Sequence, residues 1–224
     1  MNQAPPAVQE PASVSDMMKA GCWDLHQTAE NGAIARGLMS GELSKAHYAV
    51  LVGQMYLFNA RLDAALRDHR PTEPLLDAVI DDEQFQSARY EADLADLGVD
   101  RGALRATPGT RTAIELVDRT EDTRPADLLA LHYVREGANN GNHYVAKKLA
   151  HVWGQTGRAG LSHLDPYGKD QRRRWNAFKA QLDGFAMSED QKRSLVRTGR
   201  EMFQAVMAIH RDVESDAASK TGAL

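Results

Sequence analysis

The chain of 224 residues is poor in cysteine and in long apolar runs, and each scarcity excludes a class of protein. Cys22 is the single cysteine, so the chain cannot form an internal disulfide, and a zinc site built from cysteines is disfavoured. No run of about 18 apolar residues occurs, so we predict no membrane span. With a net charge of -4, the composition gives no indication of a nucleic-acid partner.

The two ends of the chain differ in composition from the rest. Residues 1–13 are rich in proline, alanine and glutamine and lack the basic flank and apolar core of a signal peptide. We therefore predict a disordered arm there and a cytoplasmic protein. Residues 14–214 have the length and the apolar content of one globular domain. Residues 215–224 are small and polar, and we predict a flexible tail.

Apolar residues in the predicted domain recur mostly at helical spacing, and no segment alternates as a β-strand would. The pattern predicts an all-α fold, a single-domain helical bundle. Ser13 or Ser15 is expected to cap the first helix, and Ser188 the last one. The later helices are expected at about 44–67, 75–79, 82–97, after 109, and at 125–153, 169–185 and 189–214.

A histidine and a glutamate occur four residues apart in the first predicted helix. At this spacing His26 and Glu30 lie on the same helical face. A histidine that binds a metal usually donates its other ring N–H to a nearby acceptor, and Glu30 is in position to be that acceptor. The spacing is equally compatible with an exposed pair that has no function.

The helix expected at 125–153 carries glycine near its middle, at Gly137 and Gly141, with Asn139 and Asn140 between them. A glycine inside a helix costs roughly 1 kcal/mol relative to alanine. Two explanations would offset this cost: close packing against another helix, or the approach of bare backbone to a flat ligand. Ala138 and Gly141 lie at the centre of the apolar face concerned.

Four segments of the chain resemble, in the same order, the motifs of one known family. Residues 26–31, with His-x-x-Ala-Glu-Asn, are similar to its proximal-helix motif, and residues 137–142 are similar to its glycine-bearing distal-helix motif. Residues 90–94 resemble a Leu-Glu-x-Asp-Leu stretch, and residues 187–213 resemble the closing helix. The family is that of the biliverdin-forming haem oxygenases, in their bacterial branch, and the resemblance covers roughly residues 14–214.

The resemblance implies a haem sandwiched between a proximal helix and a kinked distal helix. It implies that His26 is the proximal iron ligand and Glu30 its hydrogen-bond partner. It places haem-binding cations, which would pair with the anionic propionates, at Lys19, Arg172 and Lys179. The catalytic residues of the distal side would be Arg135, Gly137, Ala138, Asn139, Asn140 and Gly141.

The resemblance also implies a function. Haem of the b type would be both cofactor and substrate, and the protein would open it to biliverdin, CO and free iron. The reaction would use O2 and electrons from a ferredoxin, a flavodoxin or an NAD(P)H-dependent reductase. Neutral imidazole suits this chemistry, because it lacks the strong electron push by which a thiolate favours O–O cleavage.

The chain departs from the family at three distal positions. Ala138 replaces an aspartate, Asn59 replaces a tyrosine and Val206 replaces an asparagine. Proton delivery would then use the asparagines of the glycine segment, or Arg135, through water. These departures leave open a second function, that of a haem-binding, haem-sequestering or haem-sensing protein that does not cleave the ring.

A third function, a di-iron oxidase on a similar bundle, has little support because no Glu-x-x-His pair repeats. Its candidate ligands would be Glu30, Glu91 and Glu136. His132 and His143 flank the distal glycines. For both histidines we favour hydrogen bonding at the edge of the pocket over iron ligation.

Overall fold

The computed structural model describes the backbone of residues 12–221 and the side chains of residues 12–215. Over this range the chain is built from helices and turns without a β-strand, so the predicted all-α class is confirmed. Residues 1–11 of the predicted arm and residues 222–224 of the predicted tail lie outside the described residues. The α-helices are α1 (Val14–Glu30), α2 (Ala33–Ser40), α3 (Lys45–His69), α4 (Pro74–Val79), α5 (Ser87–Asp96), α6 (Pro108–Thr123), α7 (Leu128–Val152), α8 (Gln171–Gly184) and α9 (Glu189–Thr221).

Side-chain caps fix the starts of the first and last helices. Ser13 Oγ accepts a hydrogen bond from the Asp16 N–H at 3.2 Å, so Ser13, and not Ser15, caps α1. Ser188 Oγ accepts from the Gln191 N–H at 3.2 Å, and Gln191 Oε1 accepts from the Ser188 N–H at 2.8 Å. Such reciprocal bonds satisfy N–H groups that the helix itself leaves free. The predicted start of α9 is confirmed.

Three boundaries differ from the prediction. The short helix α2 was not expected; it ends at Gly41, whose φ of 78° suits glycine. The helix expected at 82–97 begins only at Ser87, because Asp82–Gln84 form a 3-10 turn first. The last helix continues beyond Glu214, its expected end, to Thr221. None of the described helices combines the length and the apolar character that crossing a membrane requires.

Close packing around α9 holds α1 in place. The helix α9 packs against α1, α6 and α7, while α3 packs against α5 and α6. A Cβ at Gly199 of α9 would lie 2.7 Å from Met18 Cε of α1, and a Cβ at Gly109 of α6 would lie 2.5 Å from the carbonyl carbon of Ala208. These glycines let the helices approach closely, and they fix the position of the helix that carries His26.

Candidate functional site

His26 is held in a defined orientation on α1. Its Nδ1 is almost inaccessible to solvent and lies 3.4 Å from Glu30 Oε2, although 43% of the side chain is exposed. Trp23 stacks on the imidazole with 5.3 Å between ring centroids, and Phe203 of α9 meets it edge-on at 5.8 Å. Because Nδ1 faces Glu30, Nε2 is the ring nitrogen left for a ligand. The role of Glu30 as the partner of a ligating histidine stays a prediction.

The glycine-bearing helix α7 has one open face. It runs as a continuous α-helix from Leu128 to Val152, so the kink implied by the resemblance stays a prediction. A Cβ at Gly137 would lie 3.4 Å from the Trp175 ring of α8, whereas a Cβ at Gly141 would have no neighbour within 4 Å. Ala138 is exposed as well. Gly137 therefore packs against α8 with room for a Cβ at ordinary contact distance, while Gly141 borders open space.

Two contacts tie α7 to the first two helices, one on each side of the glycines. Near one end, the Tyr133 hydroxyl donates to the Ser15 carbonyl oxygen, close to the start of α1, at 3.2 Å. Near the other end, Gly41, just after α2, lies beside Val152 and Lys148, since a Cβ there would be 2.8 Å from Val152 Cγ2. Between these ties, α1 packs on α8 and α9 and has few contacts with α7.

From these ties we infer that His26 and Gly141 face each other across a gap. At 1.5 Å per residue, His26 is about 16 Å along α1 from Ser15, and Gly141 is about 12 Å along α7 from Tyr133. Helices α1 and α7 are in contact at Ser15 and Tyr133. Beyond Gly141, α7 is in contact with the end of α2. We therefore infer that the glycine segment lies opposite the part of α1 and α2 that includes His26.

Large apolar side chains are exposed on α1, α2 and α7. In the described part of the chain, the large apolar residues with high exposure are Trp23 (48%), Met39 (55%), Tyr144 (64%) and Val152 (49%). They belong to α1, α2 and α7, the helices that border the gap. A concentration of exposed apolar side chains marks a binding surface more often than a bare surface of a soluble domain. The gap is suited to an apolar ligand.

The two asparagines between the glycines are turned to different neighbours. Asn139 is buried, and its Nδ2 lies 3.5 Å from Glu136 Oε1. The Asn140 Nδ2 donates to the Gly137 carbonyl oxygen at 3.0 Å, and its Oδ1 accepts from Gln171 Nε2 at 3.4 Å. Asn140 is half-buried beside the open face, Asn139 points into the protein, and the part of both in catalysis stays a prediction.

Arg135 is engaged by a buried carboxylate. Its Nη1 donates to Asp63 Oδ1 at 2.5 Å, and both side chains are buried. Asp63 also accepts from the N–H groups of Gln86 and Ser87, each at 2.8 Å. Burial alone would raise the pKa of Asp63, but the nearby Arg135 and the Ser87 hydrogen bonds lower it below its usual value. The predicted distal role of Arg135 must therefore compete with a structural ion pair between α3 and α7.

The two histidines beside the glycines are hydrogen-bonded. His132 is fully buried; its Nδ1 accepts from Arg135 Nη2 at 2.8 Å, and its Nε2 lies 3.2 Å from Gln84 Oε1. Burial, with Arg135 beside it, holds the pKa of His132 well below its usual value, so the ring is neutral with its proton on Nε2. His143 Nδ1 lies 2.9 Å from Asp165 Oδ1. This geometry favours the hydrogen-bonded interpretation for both residues.

The predicted propionate ligands lie on the helices that flank the gap. Lys19 is exposed on α1 and Arg172 is exposed on α8, and neither forms an ion pair with a described residue. Lys179 Nζ lies 5.7 Å from the centre of the Trp175 ring, which in turn contacts α7 at Tyr133. These three cations remain predictions, and Lys179 is the one that a chain of contacts connects to the glycine-bearing helix.

The proposed di-iron ligands do not come together. Among the described residues, no group of three or more histidine, cysteine or acidic side chains is placed to hold a metal ion. Glu91 accepts from the Tyr56 hydroxyl at 3.1 Å and pairs with Arg101 at 2.7 Å. Glu136 instead accepts from the Tyr167 hydroxyl at 2.9 Å. The pairing of Glu136 with Tyr167 was not expected, because no local spacing signals a contact between residues this far apart in the sequence.

A protein-family model described as heme oxygenase matches residues 12–212. The chain therefore belongs to the haem oxygenase family. Among solved structures, the heme oxygenase from Leptospira interrogans has a TM-score of 0.83 at 20% identity, with 90% of this chain and 100% of that chain covered. Heme oxygenase-1 from the cyanobacterium Synechocystis, solved with heme, has a TM-score of 0.84 at 17% identity, with coverages of 94% and 96%.

The same architecture also occurs in a protein that is not named as an oxygenase. A TenA family transcription regulator from Silicibacter has a TM-score of 0.64 at 15% identity, with 90% of this chain and 96% of that chain covered. A comparison with curated protein sequences finds no match. At such identities the structural likeness establishes the fold, and the family match confirms the resemblance that the motifs gave.

Proposed function

We propose that the protein is a haem-degrading monooxygenase that opens haem to biliverdin, CO and free iron, with O2 and electrons from an external donor. The feature that carries the proposal is the gap inferred between His26 on α1 and Gly141 on α7. On one side stands an imidazole with a free Nε2. On the other side, a Cβ at Gly141 would meet nothing within 4 Å.

The residues present fit a haem. His26 Nε2 would hold the iron, while Trp23, Phe203 and Glu30 keep the imidazole in place. The bare backbone at Gly141 limits the width of the gap without filling it. Lys19, Arg172 and Lys179 are cations that would pair with the propionates at the rim. When bound, haem supplies the iron that activates O2 and the ring that is oxidised.

The electron donor would be a ferredoxin, a flavodoxin or an NAD(P)H-dependent reductase. The basic stretch of α8 around Arg172 and Lys179 offers a surface for an acidic donor, although the same residues are candidates for propionate binding. The cytoplasm, where these donors are found, is the proposed location.

The second candidate function is a haem-binding, haem-sequestering or haem-sensing protein of the same fold. It is favoured by one specific feature, the absence of an acidic side chain at Ala138. Val206 of α9 and Asn59 of α3 likewise replace groups that the family uses on the distal side. If these changes remove proton delivery, haem would bind and remain intact.

The test is an anaerobic haem titration followed by reduction in air, with absorbance recorded throughout. We expect a Soret band that is lost in His26→Ala and kept in His47→Ala, a matched change at a half-buried histidine of α3. After reduction with ascorbate or a ferredoxin system, chromatography should give biliverdin. Haem recovered intact would select the second candidate, and no Soret band in the wild type would refute both.

A further inference from the structure

A buried carboxyl group lies behind the glycine segment of α7. Glu136 is 3% exposed, and its Oε2 accepts a hydrogen bond from the Tyr167 hydroxyl at 2.9 Å. Neither nearby guanidinium forms an ion pair with it. Arg135 pairs with Asp63, and Arg89 donates to the carbonyl oxygens that precede α5. A carboxylate buried without a cationic partner is costly, so the protonated acid is favoured.

The electrostatic surroundings agree with a protonated Glu136. Burial raises its pKa to about 7, although Arg135, the Tyr167 and Gln86 side chains and Arg89 act in the opposite direction. Burial, and after it the charge of Glu136, raises the pKa of Tyr167, so the phenol keeps its proton and donates. Glu136 can therefore exchange a proton near neutral pH, whereas Tyr167 cannot.

Several buried polar atoms on α3, α7, α8 and the segment before α5 have no hydrogen-bond partner among the described residues. They are Gln86 Nε2, Asn59 Oδ1, Arg135 Nε and Gln171 Oε1. Gln86 lies beside Glu136, and Gln171 is bonded to Asn140. Buried polar atoms almost always find a partner, and ordered internal water supplies it where protein does not. We expect internal water between Glu136 and the asparagines of the glycine segment.

Asn139 and Asn140 extend the buried polar cluster from Glu136 toward the glycine segment of α7. The Asn139 amide lies 3.5 Å from Glu136 Oε1, and the next residue, Asn140, precedes Gly141, which has no side chain to block water. An asparagine amide can present its oxygen as well as its nitrogen, so it can accept from a protonated Glu136. Ala138, on the same turn of α7, has no acidic side chain. Glu136 is the buried acid on this turn of the helix.

We propose that Glu136, positioned by Tyr167, is the proton donor for the distal side of the haem site, and this rests on the proposed function. The O–H bond of the Glu136 acid breaks as its proton passes to internal water held by Asn139. The carboxylate left behind accepts the Tyr167 hydrogen bond and is reprotonated from solvent water. The electrons and the oxygen come from the external donor and from O2.

The first test uses the haem-free protein. At about pH 6, where an acid with a pKa near 7 is mostly protonated, infrared difference spectra should show a protonated-carboxyl C=O band that Glu136→Gln removes. Glu115→Gln, the same change at an exposed glutamate of α6, should leave the band in place. In Tyr167→Phe the band should persist and titrate at higher pH, because a bond to the carboxylate is lost. A spectrum without this band would overturn the proposal and leave the proposed function standing.

The second test measures a single turnover of the haem complex in H2O and in D2O. Glu136→Gln should bind haem with the wild-type Soret band and open it on the order of 10²-fold more slowly, a typical loss for a proton donor. Ring opening at the wild-type rate in Glu136→Gln would refute the role of Glu136 but not the proposed function. Intact haem in the wild type would refute the proposed function, and with it the donor role, whatever the infrared result.

Discussion

Replacing Gly141 by alanine tests whether the open face of α7 is the ligand site, because one methyl group has two effects of opposite sign. In the haem-free protein the new Cβ would have no neighbour within 4 Å, and the glycine has no positive φ. Alanine loses less backbone entropy in a helix than glycine does. We therefore expect Gly141→Ala to stabilise the haem-free protein by about 0.5–1 kcal/mol.

Haem binding should weaken in the same variant. A flat ligand that packs on the bare backbone would meet the methyl group, and overpacking typically costs about 1–3 kcal/mol. At 1.4 kcal/mol per tenfold change, this corresponds to a Kd raised by about 5- to 150-fold. A substitution that only damaged the fold would lower stability and affinity together.

Urea unfolding of the haem-free protein and a Soret titration measure the two effects separately. Gly184→Ala is the matched control, because a Cβ at this position at the end of α8 would also have no neighbour within 4 Å. We expect its haem affinity to equal that of the wild type. Unchanged haem affinity in Gly141→Ala would refute the assignment of the site. Destabilisation of the haem-free protein would refute the conclusion that the space beside Gly141 is open.

Three further predictions concern stability and the proximal ligand. Asp63→Asn leaves Arg135 buried without a charged partner and should lower the free energy of unfolding in urea by about 3–5 kcal/mol. The control Asp118→Asn, in a partly exposed pair, should lower it by under about 1 kcal/mol. Equal losses in the two variants would contradict the argument. The pKa of Glu136 rises on folding from 4.5 to about 7, so the wild type should lose roughly 3 kcal/mol of stability as pH rises between these values, at 1.36 kcal/mol per unit. In Glu136→Gln this part of the pH dependence should be absent, and parallel curves for the two proteins would count against a buried acid. His26→Ala should abolish the Soret band. It should change the free energy of unfolding by no more than about 0.5 kcal/mol, because the side chain is half-exposed. A much larger loss of stability in urea would indicate that His26 has a structural role.

The helices and their order were largely predictable, because the signals for them are local. Caps such as Ser13 and Ser188, and apolar spacing along α3 and α7, act within a few residues of the chain. The short helix α2 was missed for the same reason, since a segment of two turns carries too little periodicity. The start of α5 was predicted too early. The residue types of the 3-10 turn at Asp82–Gln84 also suit an α-helix.

The site was predictable only in part. The spacing of His26 and Glu30 on one helix is fixed by helical geometry, and the structure has Nδ1 facing the carboxylate. The buried pair of Asp63 and Arg135 joins residues on α3 and α7, and no pattern in the sequence announces it. Arg135 was expected in the distal pocket because it lies just before the glycine segment in the sequence. Its partner, Asp63, comes close to it only in the folded chain.

By itself the sequence determined an all-α chain, the positions of an imidazole and of two helical glycines, and the family to which they belong. These follow from local spacing and from residue identity, which every conformation of the chain retains. The tertiary structure alone decided that Gly137 meets Trp175 while Gly141 borders open space, and that Glu136 lies beside Tyr167. Such features depend on which surfaces exclude water, and burial arises only when distant segments pack together.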